Sequence, residues 1–452
     1  MEMHEETMYT ETFRIFLVSQ SSWTLLVHKD THRIPRCSLQ ATKRVAPQLQ
    51  KIIQEMLNAS SLLLDICREP GTLGPYAVIE VCSSETFCAM DNLQAVNICE
   101  LNDGDITEAE TIRLSQILSG QPIGKGPYCR IGWLDAVLAW VQDNAGPFGF
   151  EFNGNVRQYS AKGSFGLARF GSKDGSALWL KATSETHRHE LAITDAISRC
   201  CGQFTPNLIA MKQDWNAWLS REAGEPLSDQ SGYEILERAT HSLAGMQRAS
   251  RPYIDDLRKA GCSDLSLNAL HSCLPALKEY LDSSMAQQRS RRVAPLLPGQ
   301  IAEMHYLITD AIVALEKLEI EDVLLHNDLN CGNVLINGNQ VFFIDWAEAG
   351  IGHPLFGLHH LLALAEGRNQ LGDTTQRLHD VYVEHWRKRL SAENIRKAYV
   401  LSGPLATLCY LCGRDPSFTS SYRHIESVQS YARSLARHVN RMVHASEFRE
   451  VL

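Results

Sequence analysis

The segment VLLHNDLNCGNVLINGNQVFFIDWAEAGIGH, residues 323–353, decides most of what the sequence predicts. It contains His326, Asp328 and Asn333 in an H-x-D-x-x-x-x-N spacing, directly after three apolar residues. A carboxylate and an amide at this spacing are two oxygen donors on one short loop. The loop is therefore the first candidate for a functional site in this chain.

Two apolar runs flank the turn residues Asn337-Gly338-Asn339. The first is Val323–Leu325, and the second is Val341–Ile344, which ends in Asp345. Two short apolar runs on either side of such a turn predict a β-hairpin-like pair with polar groups at the strand ends. We therefore expect the side chains of the loop and the carboxylate of Asp345 to converge.

Convergent carboxylate and amide oxygens suit phosphoryl transfer, in which such oxygens hold Mg²⁺ while an aspartate orients the attacking hydroxyl. Asp328 would be that aspartate. Asp345 would hold Mg²⁺ between the β- and γ-phosphates and Asn333 would reach a second ion, whereas His326 would orient the loop rather than carry a proton. The alternative interpretation is an ordinary core hairpin with solvated polar ends.

HNDLNCGNVL followed by FIDWAEAGIGHP resembles the catalytic loop and metal-binding strand of the aminoglycoside phosphotransferase and choline kinase superfamily. The resemblance covers about residues 150–452. It implies a bilobal α+β fold like that of protein kinases, with a small β-rich nucleotide lobe and a large helical lobe, and it implies ATP and Mg²⁺ as cofactors. Gly357 departs from the family pattern, which has an aspartate before the leucine.

Only a short stretch separates Asp345 from His353-Pro354 and from the apolar helix predicted to begin at about Leu355. Protein kinases have a long segment at this place, on which a peptide substrate lies. Its absence favours a small-molecule hydroxyl as the acceptor, on an aminoglycoside, an amino-alcohol or a sugar-like compound. Protein-kinase activity is correspondingly disfavoured.

Three acidic residues beyond this segment, Asp373, Asp380 and Glu384, have two interpretations. They could present negative charge to an amine-bearing acceptor. The interpretation that we favour is an ordinary solvated helix surface.

Residues 159–183 read YSAKGSFGLARFGSKDGSALWLKAT, in which Ala161, Gly163 and Gly166 occupy the glycine places of the kinase G-x-G-x-x-G pattern. Glycine lets backbone N–H groups approach phosphate oxygens, and Ser164 lies within the same turn. Ala161 replaces the usual first glycine. A glycine-bearing hairpin turn is common, so the pattern is weak by itself.

Lys181 ends a predicted strand where kinases place the lysine that contacts the α- and β-phosphates. Glu190 follows in a helix-like run, residues 184–197, from which it could pair with Lys181. The alternative is that both are surface charges. Further on, Arg221-Glu222-Ala223 resembles the hinge of the family, where backbone groups near Glu222 and Ala223 would bind adenine, so the choice of ATP over GTP rests on the resemblance.

The first 145 residues predict a separate α+β domain in the order β-β-α-β-β-α. The stretches RIFLV (14–18), WTLLVHK (23–29) and RIPRCSL (33–39) faintly resemble the opening of a Nudix-type domain. The carboxylates that would bind metal in such a domain are missing, so the resemblance implies a binding or packing role. The helix that contains Trp133 and Trp140 is expected to pack against the next domain. The predicted elements are strands at 14–18, 23–27, 76–81 and 93–101, and helices at 43–57, after Thr107, and near Trp133.

The chain of 452 residues is predicted to form an N-terminal domain (1–145), a nucleotide lobe (150–228) and a helical lobe with the acceptor pocket (229–452). A net charge of −9 gives no support to nucleic-acid binding. The 13 cysteines lack regular spacing, and no apolar run is long enough to cross a membrane, so a cytoplasmic protein with reduced thiols is expected. The oligomeric state is left open. A rival function is a kinase-shaped module that binds nucleotide or a partner without transferring phosphate.

Overall fold

The computed structural model describes residues 10–19, 22–68, 72–81, 92–101, 104–120, 126–161, 163–367, 373–387, 390–414, 416 and 418–452. The chain divides into two compact units. The first consists of Met1–Leu191 and Asn207–Glu222, and the second of Ala192–Pro206 and Ala223–Leu452. β-Rich N-terminal sheets and a helical C-terminal region confirm the predicted α+β fold class.

A six-stranded mixed sheet forms the N-terminal part of the first unit. The strand order is β4-β5-β1-β2-β6; β1 pairs in parallel with β5, and β3 pairs with the beginning of β1. Among the residues of this region that the structure describes, three α-helices accompany the sheet. The elements are β1 (Thr10–Ser19), β2 (Ser22–His28), β3 (Arg36–Gln40), α1 (Val45–Leu57), β4 (Ser61–Cys67), β5 (Tyr76–Val81), β6 (Leu93–Asn97), α2 (Glu108–Leu118) and α3 (Trp133–Ala145).

Strand β1 is buried on both faces. Phe13, Ile15 and Leu17 pack with apolar residues of α1, whereas Phe16 and Val18 pack on the other face of the sheet. Since successive side chains of a strand point to opposite faces, double burial produces the nearly continuous apolar run of this stretch. The two faces therefore belong to two different cores.

Two strands of this region, β3 and β4, were absent from the sequence prediction. β4 reads SLLLDIC and is buried along its length, so it lacks the alternation that distinguishes a half-exposed strand. The order β-β-α-β-β-α is therefore wrong in this respect. Helix α1 leaves Met56 exposed and α2 leaves Ile112 exposed. A capping box of Thr107 and Glu110 begins α2, the helix predicted after Thr107.

A five-stranded antiparallel sheet of order β10-β11-β9-β8-β7 forms the rest of the first unit. The strands are β7 (Phe152–Ala161), β8 (Phe165–Ser172), β9 (Ala177–Thr183), β10 (Leu208–Lys212) and β11 (Ala217–Arg221). One hydrophobic cluster joins residues of this sheet, such as Phe170, to residues of the N-terminal sheet, such as Phe16. The ring of Trp133 lies 4.7 Å from that of Trp215, in agreement with the packing predicted for its helix.

The second unit is mostly helical. Its main core is built from the buried faces of these helices and from small sheets beside them. The helices are α4 (His189–Cys200, which begins in the first unit), α5 (Tyr233–Ser250), α6 (Ile254–Ala260), α7 (Leu267–Ala286), α8 (Pro298–Glu316), α9 (Pro354–Gly367), α10 (Asp373–Glu384), α11 (Ala392–Cys412), α12 (Glu426–Val443) and α13 (Ser446–Val451). Among the residues that the structure describes, no helix combines the length and apolar character needed to cross a membrane.

The two apolar runs of the predicted hairpin belong to two different three-stranded sheets of the second unit, so the predicted pairing is wrong. One has the order β12-β15-β16 and the other β13-β17-β14. Val323–Leu325 pairs with Gly350–Gly352, and the hairpin partner of the second apolar run is the strand directly before the turn. The reason is the two-residue Gly338-Asn339 connection, which joins only adjacent strands. The strands are β12 (Glu225–Pro226), β13 (Ser263–Leu265), β14 (Val323–Leu325), β15 (Val334–Asn337), β16 (Gln340–Phe343) and β17 (Gly350–Gly352).

Candidate active site

Asp328 lies in the loop between β14 and β15 and is held by amide side chains of the same loop. Asn333 Nδ2 donates to the main-chain oxygen and to Oδ2 of Asp328, both at 3.0 Å. Asn330 Nδ2 lies 3.3 Å from Oδ1. The Asp328 side chain is half-buried, so it is oriented by these donors and still accessible from one side. This is the arrangement expected of a carboxylate that must point in one direction.

Asp345 follows β16, next to the end of the loop. The N–H of Ile344 donates to the main-chain oxygen of Asn333 at 3.0 Å, so the residue before Asp345 is tied to the predicted amide ligand. The structure thus brings Asp328, Asn333 and Asp345 together. Their metal-binding and catalytic roles stay predictions.

The buried side chain of His326 connects the loop of Asp328 to the segment that leads to Asp345. Its Nε2 lies 2.8 Å from the carbonyl oxygen of Ile344; since a carbonyl only accepts, Nε2 carries the proton. Burial lowers the pKa of His326, an effect that the nearby carboxylates of Asp328 and Asp345 oppose. The ring packs 4.6 Å from Trp346. A neutral imidazole in these contacts fits the predicted role of orienting the loop.

Two residues of the site have left-handed backbone conformations. Asn327 has φ of 56° and Asp345 has φ of 68°. Asn and Asp tolerate this region better than other residues with a Cβ, but it still costs of order 1 kcal/mol or more and persists only where the surroundings impose it. One strained position directly precedes Asp328 and the other is Asp345 itself, which is where a functional site would require a fixed direction.

The predicted pair of Lys181 and Glu190 is formed in the first unit. Lys181 Nζ lies 2.5 Å from Glu190 Oε1, with side-chain exposures of 12% and 2%. The ammonium group also lies 5.0 Å from the ring centre of Phe165 and 5.5 Å from that of Trp218. These exposures exclude the interpretation of two solvated surface charges. Contact with a triphosphate stays a prediction.

The glycine-bearing turn joins β7 to β8, and its two glycines differ. Gly163 is exposed, and a Cβ added there would meet no atom within 4 Å. Gly166 is buried, and an added Cβ would lie 2.7 Å from Cγ of Tyr128. Packing against Tyr128 is therefore one reason for glycine at 166, and the approach of a phosphate to this turn stays a prediction. Ser164 is half-buried, and its carbonyl accepts from the N–H of Ser184 at 2.9 Å.

Glu222, at the end of the first unit, uses its own N–H to donate to the carbonyl of Ala177 at 3.0 Å. Its carboxylate binds the guanidinium of Arg169 at 2.6 and 3.0 Å, which holds the pKa of Glu222 below its ordinary value. The side chain thus stabilises the five-stranded sheet, which we call the nucleotide sheet after its predicted role. Adenine binding by backbone groups near Glu222 stays a prediction.

The predicted hinge continues in the second unit with Ala223, which is buried. Gly224 has φ of 110°, and an added Cβ would lie 2.2 Å from the carbonyl oxygen of Ile336. Only glycine fits this close approach to β15. Adenine binding near Ala223 stays a prediction.

Gln247, which sequence analysis did not single out, occupies the space beside Gly357. A Cβ on Gly357 would be 2.6 Å from Gln247 Nε2, and this buried amide donates to the carbonyl of Pro354 at 3.0 Å. Tyr382 donates to the same carbonyl at 2.9 Å and also contacts Gln247 Oε1. A buried polar network thus stands where the family pattern has an aspartate. No local sequence signal links these three positions.

Two tyrosines close to Asp328 were also missed. Burial is the main cause that raises the pKa of Tyr410 and of Tyr431; Tyr431 and Asp328 also raise that of Tyr410, and Asp328 also raises that of Tyr431. Tyr410 lies on α11 with its ring 4.7 Å from His360, and Tyr431 lies on α12 with half of its surface exposed. Both helices are far from the motif in sequence, so only the fold reveals them.

The acidic residues of α10 agree with the surface interpretation. Glu384 pairs with Arg387 one turn away, and Asp380 accepts from Gln376 Nε2 at 2.9 Å. Both carboxylates are exposed. Neither contact points to a bound amine.

The donors Asn333 and Asp345 fit a magnesium ion. Because Asn333 uses its Nδ2 on Asp328, its amide oxygen is the atom that would face a cation. Within the described part of the chain, no group of three or more His, Cys, Asp or Glu residues could hold a metal alone. Mg²⁺ is commonly held by one or two protein oxygens together with substrate phosphates, so this small donor set suits a nucleotide-bound ion.

Comparison with known proteins agrees with this geometry. Residues 183–390 match the model of the phosphotransferase enzyme family, whereas the search of curated proteins gave no match. Choline kinase from Cryptosporidium parvum Iowa II is similar in structure with a TM-score of 0.50, at 13% identity over 68% of this chain and 95% of that one. This likeness concerns the fold alone.

Two further solved structures have lower scores. The choline/ethanolamine kinase family protein from Mesorhizobium loti has a TM-score of 0.47, at 14% identity over 70% of this chain and 97% of that one. Macrolide 2′-phosphotransferase from Brachybacterium faecium has a TM-score of 0.44, at 13% identity over 67% and 97%. The family match begins at residue 183, so the faint Nudix resemblance stays a prediction. The resemblance to the aminoglycoside phosphotransferase and choline kinase superfamily is confirmed by a segment, residues 183–390, that matches the phosphotransferase enzyme family.

Proposed function

We propose that this protein is an ATP- and Mg²⁺-dependent phosphotransferase that acts on a hydroxyl group of a small molecule. The observation that carries the proposal is the double donation of the Asn333 amide to Asp328, combined with the bond from Ile344, next to Asp345, to the Asn333 carbonyl. An oriented carboxylate beside two candidate magnesium ligands is the donor set that phosphoryl transfer uses.

When bound, Mg²⁺-ATP supplies the phosphoryl group and the positive charge that offsets charge developing on it. Asp328 orients the acceptor hydroxyl and takes up its proton. Asn333 and Asp345 would hold the metal through their side-chain oxygens. Lys181, fixed by Glu190, would contact the phosphates, and His326 keeps the loop and the strand before Asp345 in register through the Ile344 carbonyl.

A small acceptor is supported by the short connection after Asp345. A single turn, residues 346–348, is followed by β17, which pairs with β14, and α9 begins at Pro354. These contacts leave no long segment on which a peptide would lie. Tyr410 and Tyr431, near Asp328, are the residues that we assign to the acceptor side.

The test is ATP turnover by the purified protein with Mg²⁺ and a panel of aminoglycosides, amino-alcohols and sugars. The variants Asp328→Ala and Asp345→Ala are measured in parallel. We expect acceptor-dependent turnover that both substitutions abolish. Turnover that both variants retain would show that these carboxylates do not carry the reaction, and binding of Mg²⁺-ATP without transfer to any acceptor would favour the binding-module alternative.

A further inference from the structure

The glycine hairpin, by which we mean β7, β8 and the turn between them, is held by residues of the N-terminal sheet and its helices. We propose that this N-terminal region positions the glycine hairpin for nucleotide binding, with Tyr128 as the positioning residue. The inference rests on the proposed function for its consequence, because a positioned hairpin matters only if the hairpin contacts a nucleotide. The contacts themselves lie within the first unit.

Tyr128 fits between two glycines. Its side chain is 1% exposed. A Cβ added to Gly126 would lie 2.1 Å from Cε1 of the ring, and one added to Gly166 would lie 2.7 Å from Cγ. Since real Cβ atoms do not approach so closely, the ring and the hairpin backbone are in direct van der Waals contact. Any movement of β8 at Gly166 therefore changes the packing of Tyr128.

Two glutamine side chains fasten β7 to the N-terminal region. Gln158 Oε1 accepts from the N–H of Leu63 at 2.8 Å, and its Nε2 donates to the Leu63 carbonyl at 2.9 Å. Gln50 on α1 accepts from the N–H of Gln158 at 2.7 Å and donates to the carbonyl of Ser61 at 2.8 Å. Gln50 thus accepts from a backbone N–H of β7, the edge strand of the five-stranded sheet, and Gln158 ties the same strand to β4.

The N-terminal region covers the face of the nucleotide sheet that is opposite Lys181. Gly166 pairs with Ala182, which pairs with Ala217, and both alanines are fully buried in the cluster that contains Tyr128. Lys181 is one residue away in register, so its side chain points to the other face. Tyr128 therefore supports the hairpin from the face of the sheet opposite Lys181.

A supported hairpin binds nucleotide with a smaller loss of conformational freedom than a mobile one. Glycine-rich loops over nucleotides are often lids that close on the ligand. In this protein the N-terminal region holds the hairpin before nucleotide arrives. The expected consequence is that damage to Tyr128 weakens nucleotide binding although Tyr128 does not face the nucleotide.

The test compares two buried tyrosines of one hydrophobic cluster in the full-length protein. Tyr128→Leu removes the ring that contacts Gly166. Tyr76→Leu removes an equally buried ring that packs against Phe16 instead, and serves as the matched control for a general loss of stability. Tyr128→Phe keeps the ring. Amide hydrogen exchange of residues 158–168 and calorimetric titration with Mg²⁺-ATP are measured on each variant.

In Tyr128→Leu we expect exchange of residues 158–168 to rise, and the Kd for Mg²⁺-ATP to rise, each by about tenfold relative to Tyr76→Leu. Tyr128→Phe keeps the ring contact with Gly166 and removes only the hydroxyl, so it is expected to change both quantities less than Tyr128→Leu does. Equal exchange of this segment in Tyr128→Leu and Tyr76→Leu would overturn the proposal. Because exchange is read without turnover, a wild-type protein that transfers no phosphate would reject the proposed function and leave this comparison decisive.

Discussion

The glycine hairpin and the loop that contains Asp328 are held in different ways. In the loop, Asp328 and His326 bond to groups at most 18 residues away, and the partners are polar. In the hairpin, Gln158 bonds to Leu63, 95 residues earlier, and Gly166 is covered by the ring of Tyr128. The loop is therefore held by residues of its own sequence motif, whereas the glycine hairpin is held by residues of the N-terminal region, which lie outside the glycine motif.

The largest effect is expected from a change to the loop itself. Asp328→Asn should lower phosphate transfer by roughly 10³-fold, because the amide cannot take up the acceptor proton. Stability should change little, since the new side chain still offers one oxygen to Asn330 and Asn333. A transfer assay and a denaturant titration measure the two properties. Asp255→Asn, at an exposed carboxylate of α6, is the control, and equal activities of the two variants would contradict the role of Asp328.

Both phosphate transfer and stability are expected to depend on the pair of Lys181 and Glu190, whose lysine lies in the same sheet as the glycine hairpin. Lys181→Met leaves the buried Glu190 carboxylate without its lysine, which should lower the free energy of unfolding by about 3 kcal/mol. The double variant Lys181→Met/Glu190→Gln should regain much of this stability but no transfer activity. Urea denaturation separates the outcomes. A double variant as unstable as the single one would show that the pair is not the cause.

The N-terminal region that holds the glycine hairpin contains a buried carboxyl group, Glu80, whose pKa lies near neutral pH. Burial raises the pKa of Glu80 from 4.5 to about 7, although its Oε1 accepts from the N–H of Gly132 at 2.8 Å, four residues after Tyr128. The folded-state pKa of Glu80 lies above the unfolded value, so the folded protein favours the protonated side chain. The contribution of Glu80 to the free energy of unfolding is therefore complete below pH 4.5 and is lost as the pH rises through about 7.

Glu80→Gln should therefore remove this pH dependence. Relative to the variant, the wild type should lose up to about 3 kcal/mol between pH 4.5 and 8. Free energies of unfolding at several pH values in this range measure the difference. Parallel pH profiles for the two proteins would show that Glu80 does not titrate in this range.

The smallest effect distinguishes the two glycines of the hairpin. Gly166→Ala should lower the free energy of unfolding by about 1–2 kcal/mol, since the added methyl group meets the Tyr128 ring. Gly163→Ala should leave stability nearly unchanged, because nothing lies within 4 Å of the added atom. Thermal unfolding of both variants gives the comparison. Equal losses of Tm would mean that Tyr128 does not discriminate between the two positions.

The same contrast explains what the sequence could predict. The loop residues, Asp345 and the pair of Lys181 with Glu190 could be found because their chemistry requires fixed spacings within short segments. Tyr128, Gln158 and Gln247 could not, because each acts on a distant segment and resembles any other buried polar residue in sequence. Strand β4 was missed for a related reason, since complete burial removes the alternation by which a strand is recognised.

The chemistry assigned to the loop is tested most directly by following the γ-phosphoryl group of labelled ATP. The purified protein is incubated with Mg²⁺ and a fractionated pool of small hydroxyl compounds, and the labelled products are separated. We predict label on a small-molecule hydroxyl with the wild type and none with Asp328→Asn or Asp345→Asn. Label that appears only on protein or as free phosphate, or that persists in both variants, would contradict the account.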